Sequence, residues 1–187
     1  MEKDLGALEN EILHVNGVPY RALKLLGRGK GGYSYLARCE ADAVGTEGDG
    51  GGLVVLKQIH HEPCDYYTFG NKIEAERRDY ERLVAAGIRV PQLIDIDEEK
   101  ERIVKQFIDG RTVAELVKEG SLPPEIMAEG KKMAELAKSA GLNIDYYPTN
   151  FVPDESGALY YVDYECNAYM DEWSFDNWGK KFWIEFP

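Results

Sequence analysis

The stretch Asn143-Ile144-Asp145-Tyr146-Tyr147-Pro148-Thr149-Asn150-Phe151-Val152, followed by Tyr161-Val162-Asp163-Tyr164-Glu165, carries the strongest chemical signal in the chain. Asp145 and Asn150 stand five residues apart in a loop whose exit enters a strand, and Asp163 ends the strand that pairs with it. All three can therefore converge at one mouth. Hard oxygen donors gathered there suit Mg²⁺, with phosphate oxygens completing its shell. A second set lies earlier. Gly27-Arg28-Gly29-Lys30-Gly31-Gly32 fits the G-x-G-x-x-G pattern, a weak signal alone because glycine-rich turns are common. Lys57, in Leu53-Val54-Val55-Leu56-Lys57-Gln58-Ile59, has apolar neighbours on both faces of its strand, so burial of its ammonium asks for an anion. Glu76 falls three residues after Ile73 and four before Tyr80, on the inward stripe of the next helix, whereas Glu74 points away. His60 and His61 sit in a polar loop with no evident role.

The elements that must position these groups read as a sheet half and a helical half. Tyr20 to Leu26, Tyr33 to Arg38 and Leu53 to Ile59 are strand-like runs, the first two flanking the glycine cluster. The glycine-rich stretch Gly45 to Gly52 reads as a loop tip. A helix is expected over Ile73 to Ala86, with Ile73, Tyr80, Leu83, Val84 and Gly87 on one stripe and Gly87 as its stop. Strands over Gln92 to Ile96 and Arg102 to Phe107 follow. Beyond Gly110 come a short helix, Thr112 to Lys118, and a longer one opened by Pro123-Pro124, with Ile126, Gly130, Met133, Ala137 and Ala140 inward. Phe151-Val152 and Leu159 to Val162 form a small hairpin. The ten aromatic residues from Tyr160 to Phe186 are expected to fold back as core, with a platform for a flat or cationic ligand as the rival reading. The expected fold class is α+β, two lobes around a crevice within one domain spanning 1–187.

Composition narrows the partners. A net charge of -12 over 187 residues argues against nucleic acid or an anionic membrane surface. The charge is uneven: Ile12 to Cys39 holds no acid but carries Arg21, Lys24, Arg28, Lys30 and Arg38, whereas 151–187 is strongly acidic against Lys180 and Lys181. Arg28 and Lys30 are expected to close over phosphates. Cys39, Cys64 and Cys166 are odd in number and lack metal-ligand spacing, which fits a reduced cytoplasm. No apolar run reaches the roughly 20 residues a bilayer requires, and the start carries acid at once, so a cytoplasmic location is expected.

From Tyr20 to Trp178 these residues resemble the protein-kinase-like superfamily. Gly27, Gly29 and Gly32 match its glycine loop, which lies between two antiparallel strands rather than ahead of a helix; Lys57 matches its strand lysine and Glu76 its helix glutamate. Lys105 to Gly110 resembles its hinge, with the Gln106 carbonyl and the Ile108 N–H facing adenine. Asp145 and Asn150 fall on its catalytic-loop acid and asparagine, and Asp163 on its second metal acid. The resemblance implies a two-lobed fold with an antiparallel-sheet N-lobe over about 12–107, a hinge over about 105–110 and a reduced helical C-lobe over about 111–187. It further implies ATP as cofactor with Mg²⁺ or Mn²⁺, Asp145 orienting an acceptor hydroxyl, Asn150 and Asp163 holding the metal, and Lys57 holding the α and β phosphates.

Several residues depart from the pattern. Asn143 stands where the family has histidine, Asp163-Tyr164-Glu165 replaces Asp-Phe-Gly, and Ser34 replaces the valine that usually lies against adenine. No Ala-Pro-Glu follows. Glu165 adds a carboxylate beside Asp163, and the pair is expected to favour metal uptake. Asp163-Tyr164-Glu165 with Phe175-Asp176 is similar to the choline kinase and aminoglycoside phosphotransferase branch, whose later Asp braces the catalytic loop, while the short length is similar to the smallest atypical Ser/Thr kinases. The acceptor, a protein Ser or Thr or a small-molecule alcohol, stays open at this point. So does a protein partner or second copy completing the small C-lobe, and so does a catalytically dead pseudokinase serving as a nucleotide-sensing or protein-interaction module.

Overall fold

The computed structural model describes residues 8–41, 52–62 and 70–187; Cys64 and all but the last residue of the Gly45 to Gly52 run lie outside them. The described chain forms two compact units, residues 1–75 with 92–107 and residues 76–91 with 108–187.

The first unit is a curled antiparallel sheet. Strands β1 (Ile12–Val15), β2 (Val18–Arg28), β3 (Gly32–Cys39), β4 (Leu53–Ile59), β5 (Leu93–Asp97) and β6 (Arg102–Gln106) lie in the order β1-β2-β3-β4-β6-β5. Alternation buries one face: Leu13, Val15, Tyr20, Ala22, Tyr35, Ala37, Val54, Leu56 and Val104 form its core. A smaller cluster of Ile59, Ile73 and Ile103 fills the other face of β4 and β6. Strand β1 has no counterpart in the sequence reading. Its signal was the Asn16-Gly17 turn, whose two residues both take positive φ, 46° and 87°, as a tight hairpin turn of matching twist requires. Asn16 also curls the sheet. Its Nδ2 donates to the Asp95 carboxylate at 2.8 Å and to the Ile96 carbonyl at 3.0 Å, and its N–H donates to Asp97 Oδ2 at 2.9 Å. That last bond, ahead of those from Lys100, holds the Asp97 carboxyl below its usual range.

Helix α1 (Lys72–Ala85) begins in the first unit and continues into the second. Gly87, with φ 77°, ends it as expected: the Ile88 N–H donates to the Leu83 carbonyl and the Gly87 N–H to the Val84 carbonyl, both at 3.0 Å, a Schellman closure joining two buried apolar residues. Val84 corrects the expected stripe. It lies about 100° around the helix from the buried Leu83 and is 51% exposed.

The second unit holds α2 (Val113–Lys118), capped reciprocally by Thr112 and Glu115, and α3 (Pro124–Ser139). Ile126, Gly130, Met133 and Ala137 of α3 face inward as expected, while Ala140, at the cap, is exposed. Strands β7 (Leu142–Ile144), β8 (Phe151–Pro153), β9 (Leu159–Tyr161) and β10 (Cys166–Ala168) are three residues each and pair as β8-β9 and β10-β7. A π-helical turn, Phe175–Gly179, leads into α4 (Lys180–Ile184). The aromatic tail is core only in part: Tyr161, Tyr164, Phe175 and Trp183 are buried, whereas Trp173 is 49% exposed; Trp183 packs against Phe151 and Phe175 and donates its indole N–H to the Tyr146 carbonyl at 2.9 Å. Gly130 is required by this packing, since a Cβ there would lie 2.6 Å from the Trp183 ring.

Candidate functional site

In the first unit the glycine motif closes the β2–β3 hairpin. Gly27 sits within the ladder beside a register shift, paired with Ser34, and the turn proper is Gly29 to Gly32, closed by Gly29 N–H donating to the Gly32 carbonyl at 2.9 Å. None of these glycines takes a positive φ. Gly32 is needed for close approach: a Cβ there would stand 2.5 Å from the Gln58 carbonyl oxygen and 3.2 Å from Lys57 Cγ. At Gly27 the space is open, and at Gly29 the nearest atom is 3.9 Å away. Lys57, opposite Ser34 on β3 and Ile103 on β6, is buried as the apolar strand foretold. Gln106 ends β6, donating its N–H to the Gln92 carbonyl at 2.9 Å while its side-chain oxygen accepts from the Gln92 N–H.

The loop is tied down by residues the sequence reading passed over. His60 Nε2 meets the Gly29 carbonyl at 3.0 Å, and Lys72 Nζ donates to the Lys30 carbonyl at 3.2 Å and to the His60 carbonyl. Arg28, expected over the phosphates, is instead bonded to Glu62, which also accepts from the Tyr33 hydroxyl at 2.6 Å, and its guanidinium stacks on the Tyr33 ring. The Tyr33 bond, followed by Arg28, keeps the Glu62 carboxyl below its usual range.

In the second unit Ile108 is buried, and Glu76 has a buried Oε2 where Glu74 is exposed, as the register required. Register across β8 and β9 pairs Phe151 with Tyr161, and the Val162 N–H donates to the Asn150 carbonyl at 2.9 Å, so Asn150 and Asp163 share one end of this hairpin. Tyr161, fully buried, brings Asp145 to the same end. Its hydroxyl accepts from the Asp145 N–H at 3.2 Å and donates to the Glu165 carbonyl at 2.8 Å. Burial, then the charge of Asp163 and more weakly those of Asp145 and Glu165, raises this hydroxyl well above the ordinary tyrosine range. Asn150 Nδ2 lies 3.4 Å from the Asp145 carbonyl, which turns its amide oxygen the other way. Asp163 Oδ1 accepts from the Tyr164 N–H at 2.8 Å; Tyr164 is buried against Tyr80, donates to the Pro91 carbonyl at 2.6 Å, and is also raised by burial and by the charges of Tyr80, Glu76 and Asp163. Glu165 is exposed, its carboxylate 3.4 Å from Asn167 Nδ2.

Asn143 acts as a clamp. Its Nδ2 donates to the Trp173 carbonyl at 2.9 Å and its Oδ1 accepts the Met170 N–H, while β10 lies antiparallel to β7. With Trp183 on the Tyr146 carbonyl, this clamp braces the loop from Asp145, the part expected of Asp176. Asp176 itself is 80% exposed and pairs only loosely with Lys180, at 3.9 Å.

Asp163 and Asn150 offer a carboxylate and an amide oxygen, which fit a Mg²⁺ ion that arrives with phosphate oxygens and water. Among the described residues no group of three or more His, Cys, Asp or Glu could hold a metal by itself. No described helix is long and apolar enough to cross a membrane. Neither the protein-family models nor the curated proteins include a match to this chain.

Proposed function

We propose that the chain is a Mg²⁺- and ATP-dependent phosphotransferase that moves the γ-phosphoryl group to a hydroxyl acceptor, a protein Ser or Thr or a small-molecule alcohol. The observation that carries this reading is the Tyr161 hydroxyl, which ties the Asp145 and Glu165 backbones together at the hairpin end where Asn150 and Asp163 also sit. In this reading Asp145 orients the acceptor hydroxyl and takes its proton as the new P–O bond forms and the bond from the γ-phosphorus to the bridging oxygen breaks, releasing ADP. Asn150 and Asp163 hold the metal, with Glu165 adding charge. Mg²⁺ supplies neutralisation of phosphate charge when bound. Lys57 is assigned to the α and β phosphates and the Gln106 carbonyl to adenine, with Glu76 and Ile108 as the further nucleotide-site residues of this reading. Catalysis is then positioning and charge neutralisation, in the manner of phosphoryl transfer generally.

A second reading, a pseudokinase that binds nucleotide without turnover, is favoured by one observation: Asp145 Oδ1 is engaged by the Tyr147 N–H at 3.0 Å, a turn-forming bond. Thermal denaturation with ATP, ADP and GTP, with and without Mg²⁺, tests both readings. A ligand at 100 times its Kd stabilises by about 2.7 kcal/mol. Mg²⁺-ATP should raise Tm in the parent and fail to do so in Asp163→Ala. Asp145→Asn should keep ATP affinity within a few-fold and lose roughly 10²-fold or more in ADP release, the usual cost of losing a general base. No Tm rise with any nucleotide would sink both readings; binding without turnover would leave the second.

A further inference from the structure

The proposed phosphate site rests on a loop whose carbonyls are held from one side. His60 Nε2 meets the Gly29 carbonyl and Lys72 Nζ the Lys30 carbonyl. His60 and Lys72 are both buried, at 6% and 5% exposure, and Lys72 also donates to the His60 carbonyl, so the two residues form one connected latch beneath the turn. A carbonyl can only accept, so His60 carries its proton on Nε2. Its Nδ1 accepts the Glu62 N–H at 3.2 Å, which fixes the neutral tautomer.

The latch has a consequence on the opposite side of the loop. No peptide bond here is cis, and in a trans peptide the N–H points away from the preceding carbonyl. With the Gly29 and Lys30 carbonyls turned toward His60 and Lys72, the Lys30 and Gly31 N–H groups are turned the other way, on residues that are exposed and half-exposed. Two successive amides aimed in one direction form a concave anion-binding nest.

We infer that His60 and Lys72 are positioning residues that hold the glycine turn with its Lys30 and Gly31 amides presented to a polyphosphate. This inference deepens the nucleotide reading and rests on it for the identity of the ligand, though the amide nest itself would accept any polyphosphate. Neither side chain touches the anion. They act by fixing two peptide planes, which removes the ordering cost from binding.

The test uses the full chain and two probes, inorganic tripolyphosphate and Mg²⁺-ATP. Titration of ¹⁵N-labelled protein with either should shift the Lys30 and Gly31 amide resonances more than those of the surrounding sheet. By calorimetry, His60→Ala and Lys72→Met should each bind tripolyphosphate about tenfold more weakly, the scale of one lost hydrogen bond. His60→Gln, which can still donate to the Gly29 carbonyl, and Lys72→Arg, which can still donate to two carbonyls, should recover affinity to within about threefold. Such rescue is not expected of residues that merely support the fold. Should Lys72→Met fail to fold, the His60 pair of variants decides. Parental affinity in folded His60→Ala overturns the inference, as does ATP binding that leaves Lys30 and Gly31 unshifted, although the nucleotide reading then survives. Shifts with tripolyphosphate, together with no ATP binding by calorimetry, uphold the latch and overturn the nucleotide reading.

Discussion

The glycine turn and the Asp145 loop both present groups for chemistry, yet they are held by different means. The turn joins two long strands of a six-stranded ladder and is carried by backbone pairing that runs from Tyr20 to Ile59, with His60 and Lys72 fixing only the peptides at its tip. The Asp145 loop is flanked by strands of three residues, too short to be stable by themselves. Its position comes from side chains bonded to backbone: Asn143 to Met170 and Trp173, Tyr161 to Asp145 and Glu165, Trp183 to Tyr146. A site can be fixed by a ladder or by a few buried polar tips on aromatic bodies, and the second kind concentrates its stability in single residues.

The largest expected effect follows from that concentration. Trp183→Ala removes a buried ring and its hydrogen bond and should destabilise the second unit by about 4 kcal/mol, in the range for buried aromatic truncations. Urea unfolding monitored by the fluorescence of Trp173 and Trp178 would measure it, with amide exchange in β2 to β4 as the control. Equal loss of protection in those strands would break the contrast between the two regions. Next is Gly32→Ala, whose Cβ would meet the Gln58 backbone at 2.5 Å; overpacking of this kind costs about 1–3 kcal/mol, while Gly27→Ala and Gly29→Ala should stay within about 0.5 kcal/mol. Equal effects at the three positions would remove the close approach as the reason for Gly32. Tyr161→Phe keeps the ring on Phe151 and loses both hydroxyl bonds, for about 2 kcal/mol and faster exchange of the Asp145 amide.

Alkaline pH sharpens the comparison further. Tyr146, Tyr161 and Tyr164 in the second unit are raised chiefly by burial, against Tyr20 in the first. A raised group contributes its stability in full below its unfolded value and loses it as pH climbs, so the second unit should weaken from about pH 10 upward. Tryptophan fluorescence reports on it alone, because Trp173, Trp178 and Trp183 all lie there. Sheet-dominated circular dichroism falling first would contradict this. The smallest effect concerns Cys166: burial pushes its thiol up to about 11, so at pH 8 it should react with alkylating reagents far more slowly than half-buried Cys39.

The sheet was legible because its information is periodic. Leu53 to Ile59 gave both the strand and the burial of Lys57, and the spacing from Ile73 separated Glu76 from Glu74. Gly87 stopped its helix because a Schellman closure needs a residue tolerant of positive φ. The hairpin carrying Asn150 was readable because a local turn at Asp154 to Gly157 joins its strands, but the pairing of β7 with β10 was not, since no turn links two three-residue strands so far apart in sequence. His60, Asn143 and the Tyr161 hydroxyl escaped for a related reason. Each acts on backbone atoms distant in sequence, and backbone atoms carry no residue type to recognise. Asp176 was misplaced by following a pattern in which an acid does work that Asn143 and Trp183 do here.

The Asn16 turn bears on how the molecule behaves in a crowd. Strand β5 ends the sheet and carries Ile94 48% exposed, the sort of margin onto which a stray chain can zip. Asn16 already occupies the Ile96 carbonyl and engages the carboxylates of Asp95 and Asp97 on either side, so a newcomer would have to displace these local bonds. One asparagine in a hairpin turn thus serves as a guard against strand addition and the fibrils that grow from it.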